Sequence, residues 1–158
     1  MPKITAILHT HNDAARLGRV LDSLRPCDEV LIIDDNSDDD TSRIAHENGA
    51  AIKQAIPGVA QGAYVMDAAN DWILCVLPNE ALSEELEASL LEWKSQDQDE
   101  ALTCCKVGLR EQNGAGWHAL DAEVRLINRK LLNWLGDLPP AQQCDITLKG
   151  DLLRFRQP

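Results

Sequence analysis

The 158-residue chain lacks several features that would place it in a class at once. No apolar run approaches the ~20 residues of a membrane-spanning helix. The opening Met1-Pro2-Lys3-Ile4 has neither the apolar core nor the small-residue cleavage site of a signal peptide, so the expected location is cytoplasmic. No basic patch or stripe is present, and the net charge is −11. A generic nucleic-acid binder is thereby excluded, and any phosphate-bearing ligand must be held by local groups against a negative field. There is no CxxC pair among the five cysteines (Cys27, Cys75, Cys104, Cys105, Cys144). The adjacent Cys104 and Cys105 would point to opposite faces of a strand, which suits neither a bridge nor a zinc site. All five are therefore expected as reduced, mostly buried thiols. Internal repeats and low-complexity tracts are also missing.

What remains is ordinary for a globular protein with a real core: 44% hydrophobic and 26% charged residues. Ile4–Thr10 reads as a buried strand, followed by a helix that Asn12 or Asp13 can cap, with Leu17, Val20, Leu21 and Leu24 on one face. Val30–Ile33 is a second strand, ending in Asp34-Asp35 and the polar turn Asn36–Asp40. A helix over Thr41–Asn48 and a short strand Ala50–Lys53 follow. Residues 59–70 read as a small-residue helix, Trp72–Leu77 as a fourth strand, and Glu84–Lys94 as a helix capped by Ser83. Four strand–helix repeats imply an α/β fold with a largely parallel sheet, helices on both faces, and a site at the C-terminal strand ends. After a charged break at 96–100, strand-like segments Ala101–Arg110, Glu123–Asn128 and 146–155 imply a short antiparallel extension. The expected organisation is one domain over 1–158, with a ligand-binding part (1–95) and an extension (96–158).

Three strand ends are polar: His9-Thr10-His11-Asn12, Asp34-Asp35-Asn36-Ser37 and Leu77-Pro78-Asn79-Glu80. Carboxylates at a strand end can accept hydrogen bonds from a base N–H or a ribose hydroxyl; the same acids would equally serve to cap a turn. His9 and His11 are the one histidine pair with ligand-like spacing, and also read as one packed and one turn-exposed ring. A nucleotidyl transferase would want a Gly-rich loop with arginine and lysine after the first strand, and His9–Asp13 is not that.

Residues 4–86 resemble a family 2 inverting glycosyltransferase of the GT-A (Rossmann-like) fold. That family carries a strand-end pattern like P-T-Y-N, then V-D-D-G-S-T-D-D-T, then a D-x-D-E turn. Here these read His9-Thr10-His11-Asn12, Ile33–Thr41 and Leu77-Pro78-Asn79-Glu80. The nearest flavour is the lipopolysaccharide-core glucosyltransferase-like group, similar in Asp71-Trp72, Leu82-Ser83, Gly116-Trp117 and Val124-Arg125-Leu126, so that the resemblance extends over roughly 4–136. It implies that Thr10, His11, Asn12, Asp34, Asp35 and Ser37 bind the nucleotide of a sugar donor, a UDP-sugar first of all, and that the sugar passes with inversion to an unknown acceptor.

The D-x-D pair of the family holds a divalent Mg²⁺ or Mn²⁺ that bridges the donor phosphates. Here the motif is degenerate: Leu77 has no side-chain oxygen, Asn79 offers a neutral carbonyl, and Glu80 alone is anionic. Lys53 and Arg125 are the candidates for meeting phosphate in its place, with solvated surface as their plainer reading. The histidine–glutamate pair of the related group falls near Gly136–Pro140, where neither residue occurs. Glu80 and Glu123 are then the candidate bases for deprotonating the acceptor. Trp117, beside glycines, is the candidate for stacking on a sugar, while Trp72 and Trp93 read as core. The alternative is a catalytically impaired GT-A domain that serves as a nucleotide- or sugar-binding or interaction module.

Overall fold

The computed structural model describes residues 1–157. In chain order the elements are β1 (Ile4–Thr10), α1 (Ala14–Asp22), β2 (Glu29–Asp34), α2 (Thr41–Glu47), β3 (Ala51–Gln54), a 3₁₀ helix (Gln61–Asp67), β4 (Trp72–Cys75), β5 (Glu80–Leu82), α3 (Glu84–Lys94), β6 (Cys104–Asn113), β7 (Gly116–Asn128) and β8 (Ile146–Arg154). The strands form one eight-stranded sheet in the order β3-β2-β1-β4-β7-β6-β8-β5. β1 lies between β2 and β4, parallel to both, and β3 adds in parallel to β2. This is the arrangement that apolar, β-branched strands adopt when both faces are covered. β7 joins antiparallel to β4 and β6, while β8 runs parallel to β6 and antiparallel to β5.

Each face of the sheet has its own core. One is covered by the three α-helices: Leu17, Val20 and Leu21 of α1, Ala45 of α2, and Leu86, Leu90 and Trp93 of α3 pack over Ile4, Ala6, Leu8 and Leu74. Trp72 and Trp93 meet edge to face at 4.7 Å. The Ser83 hydroxyl accepts the Leu86 N–H at 3.2 Å and so caps α3, whose first turn carries Glu84, Glu85 and Glu87 against the helix dipole. The other face is covered by the 3₁₀ helix, through Tyr64 and Val65, and by Trp134 from the segment between β7 and β8.

Two local expectations change. The small-residue helix of 59–70 is a single 3₁₀ stretch over Gln61–Asp67. The fourth strand stops at Cys75, because the Leu77 N–H turns away from the ladder to the Glu80 carboxylate at 2.9 Å and the Glu80 N–H returns to the Leu77 carbonyl at 3.0 Å.

The expectation of five thiols is corrected: Cys104 and Cys144 form a disulfide with their Cα atoms 5.5 Å apart. Alternation along β6 excludes a bond between the neighbours Cys104 and Cys105, but leaves each free to meet a different face. Cys105 packs among the helices, and Cys104 faces the core to which Cys144 returns. Cys27, Cys75 and Cys105 are free.

Candidate functional site

A cleft of about 600 Å³ opens at the C-terminal ends of β1, β2 and β4. Thr10 and His11 enter it from β1, Asp35 from β2, and Leu77 and Pro78 from β4. Gln61 and Tyr64 of the 3₁₀ helix, with Trp134 and Asp137 from the segment after β7, form the facing wall.

The β1 and β2 ends are held level by register, Thr10 opposite Asp34, and are then bonded together through Asp34. This carboxylate is 1% exposed. It accepts the Thr10 hydroxyl at 2.7 Å, the Ser37 hydroxyl at 2.6 Å and the Ser37 N–H at 3.0 Å. Burial pushes its pKa up, but the bonds from Ser37 and Thr10 outweigh that and hold it below the usual value. Asn12 and Asn36 take left-handed backbone conformations (φ 51° and 54°), which asparagine tolerates. The Asn12 N–H donates to the Ser37 oxygen and its side-chain carbonyl accepts the Asp38 N–H, both at 2.8 Å. Asp34, Asn12 and Ser37 are therefore braces between two loops and lie outside the cleft lining. The exposed neighbour Asp35 lines the cleft instead.

The two histidines that straddle Thr10 differ. His9 is half-buried, its ring edge-on to Tyr64 at 5.9 Å, and burial lowers its pKa. His11 is exposed with Nδ1 2.5 Å from the Asp35 carbonyl, and this contact raises its pKa.

Several candidates are corrected by their surroundings. Glu80 is fully buried. Arg125 donates to both its oxygens at 2.7 and 2.9 Å, Arg154 at 3.0 Å, and the Leu77 N–H closes the set. Burial alone would raise its pKa, and the Arg125 bonds and charge outweigh that to lower it. With both oxygens engaged and no face on the cleft, Glu80 has no lone pair to offer an acceptor or a metal. Arg125 is likewise spent on Glu80, on Glu123 at 2.9 Å and on the Cys75 carbonyl at 3.1 Å, and cannot meet a phosphate. Glu123 borders a separate hollow of about 290 Å³ with Lys106, Leu138 and Pro139. Lys53 pairs with Asp67 at 2.9 Å outside the cleft. Trp117 packs edge-on against Phe155 at the β6–β7 hairpin, at 5.1 Å, also outside it.

At the 77–80 turn the donor set does not fit a hard divalent cation. Leu77 and Pro78 present carbon to the cleft, and Glu80 is sealed beneath the arginines. Among the described residues no group of three or more His, Cys, Asp or Glu is arranged to hold a metal ion.

Other cleft residues escaped the sequence. Arg16, one turn into α1, is held to the buried Asp13 by its Nε at 2.7 Å. Trp134, not Trp117, is the tryptophan at the cleft, and Tyr64 and Asp137 stand with it. Trp134 Nε1 and Gln61 Oε1 are buried without hydrogen-bond partners. Their signal is weak because non-local packing brings residues 134 and 137 to the 3₁₀ helix, and no periodicity records that.

No protein-family model matches the chain. It is 40% identical over 91 residues to an uncharacterized glycosyltransferase of Rickettsia felis, a match covering 55% of this chain and 32% of the relative. An alignment of 161 positions with an uncharacterized glycosyltransferase of Rickettsia typhi gives 28% identity and covers 96% of this chain and 55% of that one. The chain thus spans between a third and about half the length of these relatives. Among solved structures, Staphylococcus aureus TarS 1–349 in complex with UDP superposes with a TM-score of 0.58 at 19% identity, over 72% of this chain and 37% of that one. A mycobacterial protein superposes with a TM-score of 0.54 at 21% identity, over 70% and 41%. The fold is therefore mixed α/β and GT-A-like. No helix of the described residues is long and apolar enough to cross a membrane.

Proposed function

We propose that this chain is the donor-binding part of a family 2-like glycosyltransferase, nearest in its motifs to the lipopolysaccharide-core group, which passes a sugar from a UDP-sugar to an acceptor hydroxyl with inversion. The observation that carries this reading is the open cleft at the ends of β1, β2 and β4, where an α/β sheet binds its ligand, lined by Thr10 and Asp35. The names of the Rickettsia relatives and the UDP bound in the TarS structure support it. The Asp35 carboxylate would accept from a base N–H or a ribose hydroxyl, and Tyr64 and Trp134 would supply apolar walls. The donor phosphates would meet Arg16 and His11, without a D-x-D metal site at 77–80. Of the cleft carboxylates, Asp13 is tied to Arg16, whereas Asp137 lies in no ion pair among the described residues. It takes the role of general base that Glu80 and Glu123 are not positioned to fill.

Calorimetric titration of the chain with UDP and UDP-glucose, with and without Mn²⁺, tests this. Saturable binding of UDP-glucose that Mn²⁺ tightens less than about threefold, a change of under ~0.7 kcal/mol, is expected. Absence of binding under both conditions overturns the reading, and strict dependence on Mn²⁺ overturns its metal-free form.

A further inference from the structure

Residues 129–145 join β7 to β8 without helix or strand and lie across the face that carries the cleft. The segment is anchored at its start by Arg129, which donates to the Val65 and Ala68 carbonyls at 2.8 and 2.7 Å. Midway, the Leu135 carbonyl accepts the Gly62 N–H at 3.1 Å. Past that point the Cys104–Cys144 disulfide returns it to the sheet. Between the anchors sit Trp134 and Asp137, both on the cleft wall. Trp134 Nε1 and Gln61 Oε1 are buried in this contact and make no hydrogen bond to another of the described residues. The covalent anchor opposes release of the segment from this face.

We propose that Cys104–Cys144 is a redox-modification site: an external dithiol reduces it, frees the 131–143 strap, and loosens the cleft wall that carries Trp134 and Asp137. Cys144 is partly exposed and Cys104 fully buried, so the attacking thiolate bonds to Cys144 Sγ. The Sγ–Sγ bond breaks, and its electron pair leaves on Cys104 Sγ, which takes a proton. The second thiol of the reductant then attacks the mixed disulfide at its own sulfur and expels the Cys144 thiolate, which is protonated in turn. The protein gains two thiols, and the dithiol becomes a disulfide. Burial pushes the thiols of Cys27, Cys75 and Cys105 up to about 12, so none of the three free cysteines supplies a thiolate to compete with the reductant.

The effect on the ligand rests on the UDP-sugar reading, whereas the effect on the strap does not, and the two are measured separately. Hydrogen exchange of the whole chain is compared with and without dithiothreitol, alongside calorimetry with UDP-glucose. Reduction is expected to speed exchange across 131–143 at least tenfold, leave β1 and β2 unchanged, and weaken UDP-glucose at least threefold. Cys144→Ser should show the reduced pattern under both conditions, and wild type reduced and then alkylated should match it. A free Cys144 thiol in the unreduced protein, or strap exchange that ignores reduction, overturns the proposal. Responsive exchange with equal UDP-glucose affinity in both states overturns the link to the cleft. Responsive exchange with no UDP-glucose binding in either state supports the redox site and overturns the donor reading instead.

Discussion

Arg125 and Glu80 meet in a double ion pair, Nη1 to Oε1 at 2.7 Å and Nη2 to Oε2 at 2.9 Å, with neither side chain exposed. The pair links β7 to the first residue of β5, where the turn from β4 ends, and Arg154 of β8 extends it. An acid in that turn looks chemical in the sequence; in the fold it fixes the turn and ties three strands together. Removing one partner strands the other charge in the interior, which costs ~3–5 kcal/mol. Glu80→Ala should therefore lower the unfolding free energy in urea by about that amount, and the apolar pair Glu80→Leu with Arg125→Met should recover much of it. A Glu80→Ala chain as stable as wild type would return Glu80 to the list of functional acids.

The acids Asp34 and Asp35 are neighbours with opposite assignments. Asp34→Asn disturbs the bonds from Thr10 and Ser37 and should cost ~1–3 kcal/mol. Asp35→Asn, exposed at the cleft, should stay within ~0.5 kcal/mol of wild type while weakening UDP-glucose. The folded pKa of Asp34 is depressed, so its stabilisation is present above the ordinary value of 3.8 and is lost as pH falls through the lower folded value. Denaturation curves followed from about pH 7 downward should show the gap between Asp34→Asn and wild type narrowing once the pH drops below 3.8. Curves that stay parallel would remove Asp34 from the acid response.

The parallel half of the sheet was legible because its information is local. Ile4–Thr10 and Val30–Ile33 are continuous apolar runs, Ser83 precedes an acidic turn, and the polar strand ends fall where such sheets keep their sites. What escaped is long-range. The neighbours of Glu80 in sequence mark it as a candidate base, but its role is set by Arg125 and Arg154. The disulfide joins residues 40 apart through a segment with no periodicity. Trp117 packs against Phe155 from the β6–β7 hairpin, whereas the path of 129–145 carries Trp134 to the cleft, and neither placement is written in the neighbouring residues.

His9 and His11 should titrate on opposite sides of the ordinary value of 6.5. Burial depresses His9, so between its folded value and 6.5 the unfolded chain binds more protons, and stability from this site is lost as pH falls through that window. The Asp35 carbonyl raises His11, so its contribution is fully present below 6.5 and is lost as pH rises through its folded value. Ring resonances followed by NMR from pH 4.5 to 8.5 (about two units either side of the ordinary value) should give His9 below 6.5 and His11 above it. The reverse order would overturn both placements.

Gly62 offers the sharpest test of the strap without touching a cysteine. It is buried in the 3₁₀ helix, and a Cβ there would overlap the backbone carbonyl of Trp134. Its own N–H also donates to the Leu135 carbonyl, so glycine allows both the close approach and the bond. Gly62→Ala must push the strap outward, since the overlap is with backbone and not with a side chain that could rotate. The expected cost is ~1–3 kcal/mol, as for overpacking elsewhere in a core. Displacement would also expose Trp134, one of four tryptophans, so its emission is isolated by subtracting the spectrum of Gly62→Ala combined with Trp134→Phe. A red-shifted Trp134 component and weaker UDP-glucose binding are expected together. Wild-type emission and stability in Gly62→Ala would mean that the strap does not rest on the 3₁₀ helix, and Trp134 and Asp137 would then lose their place on the cleft wall.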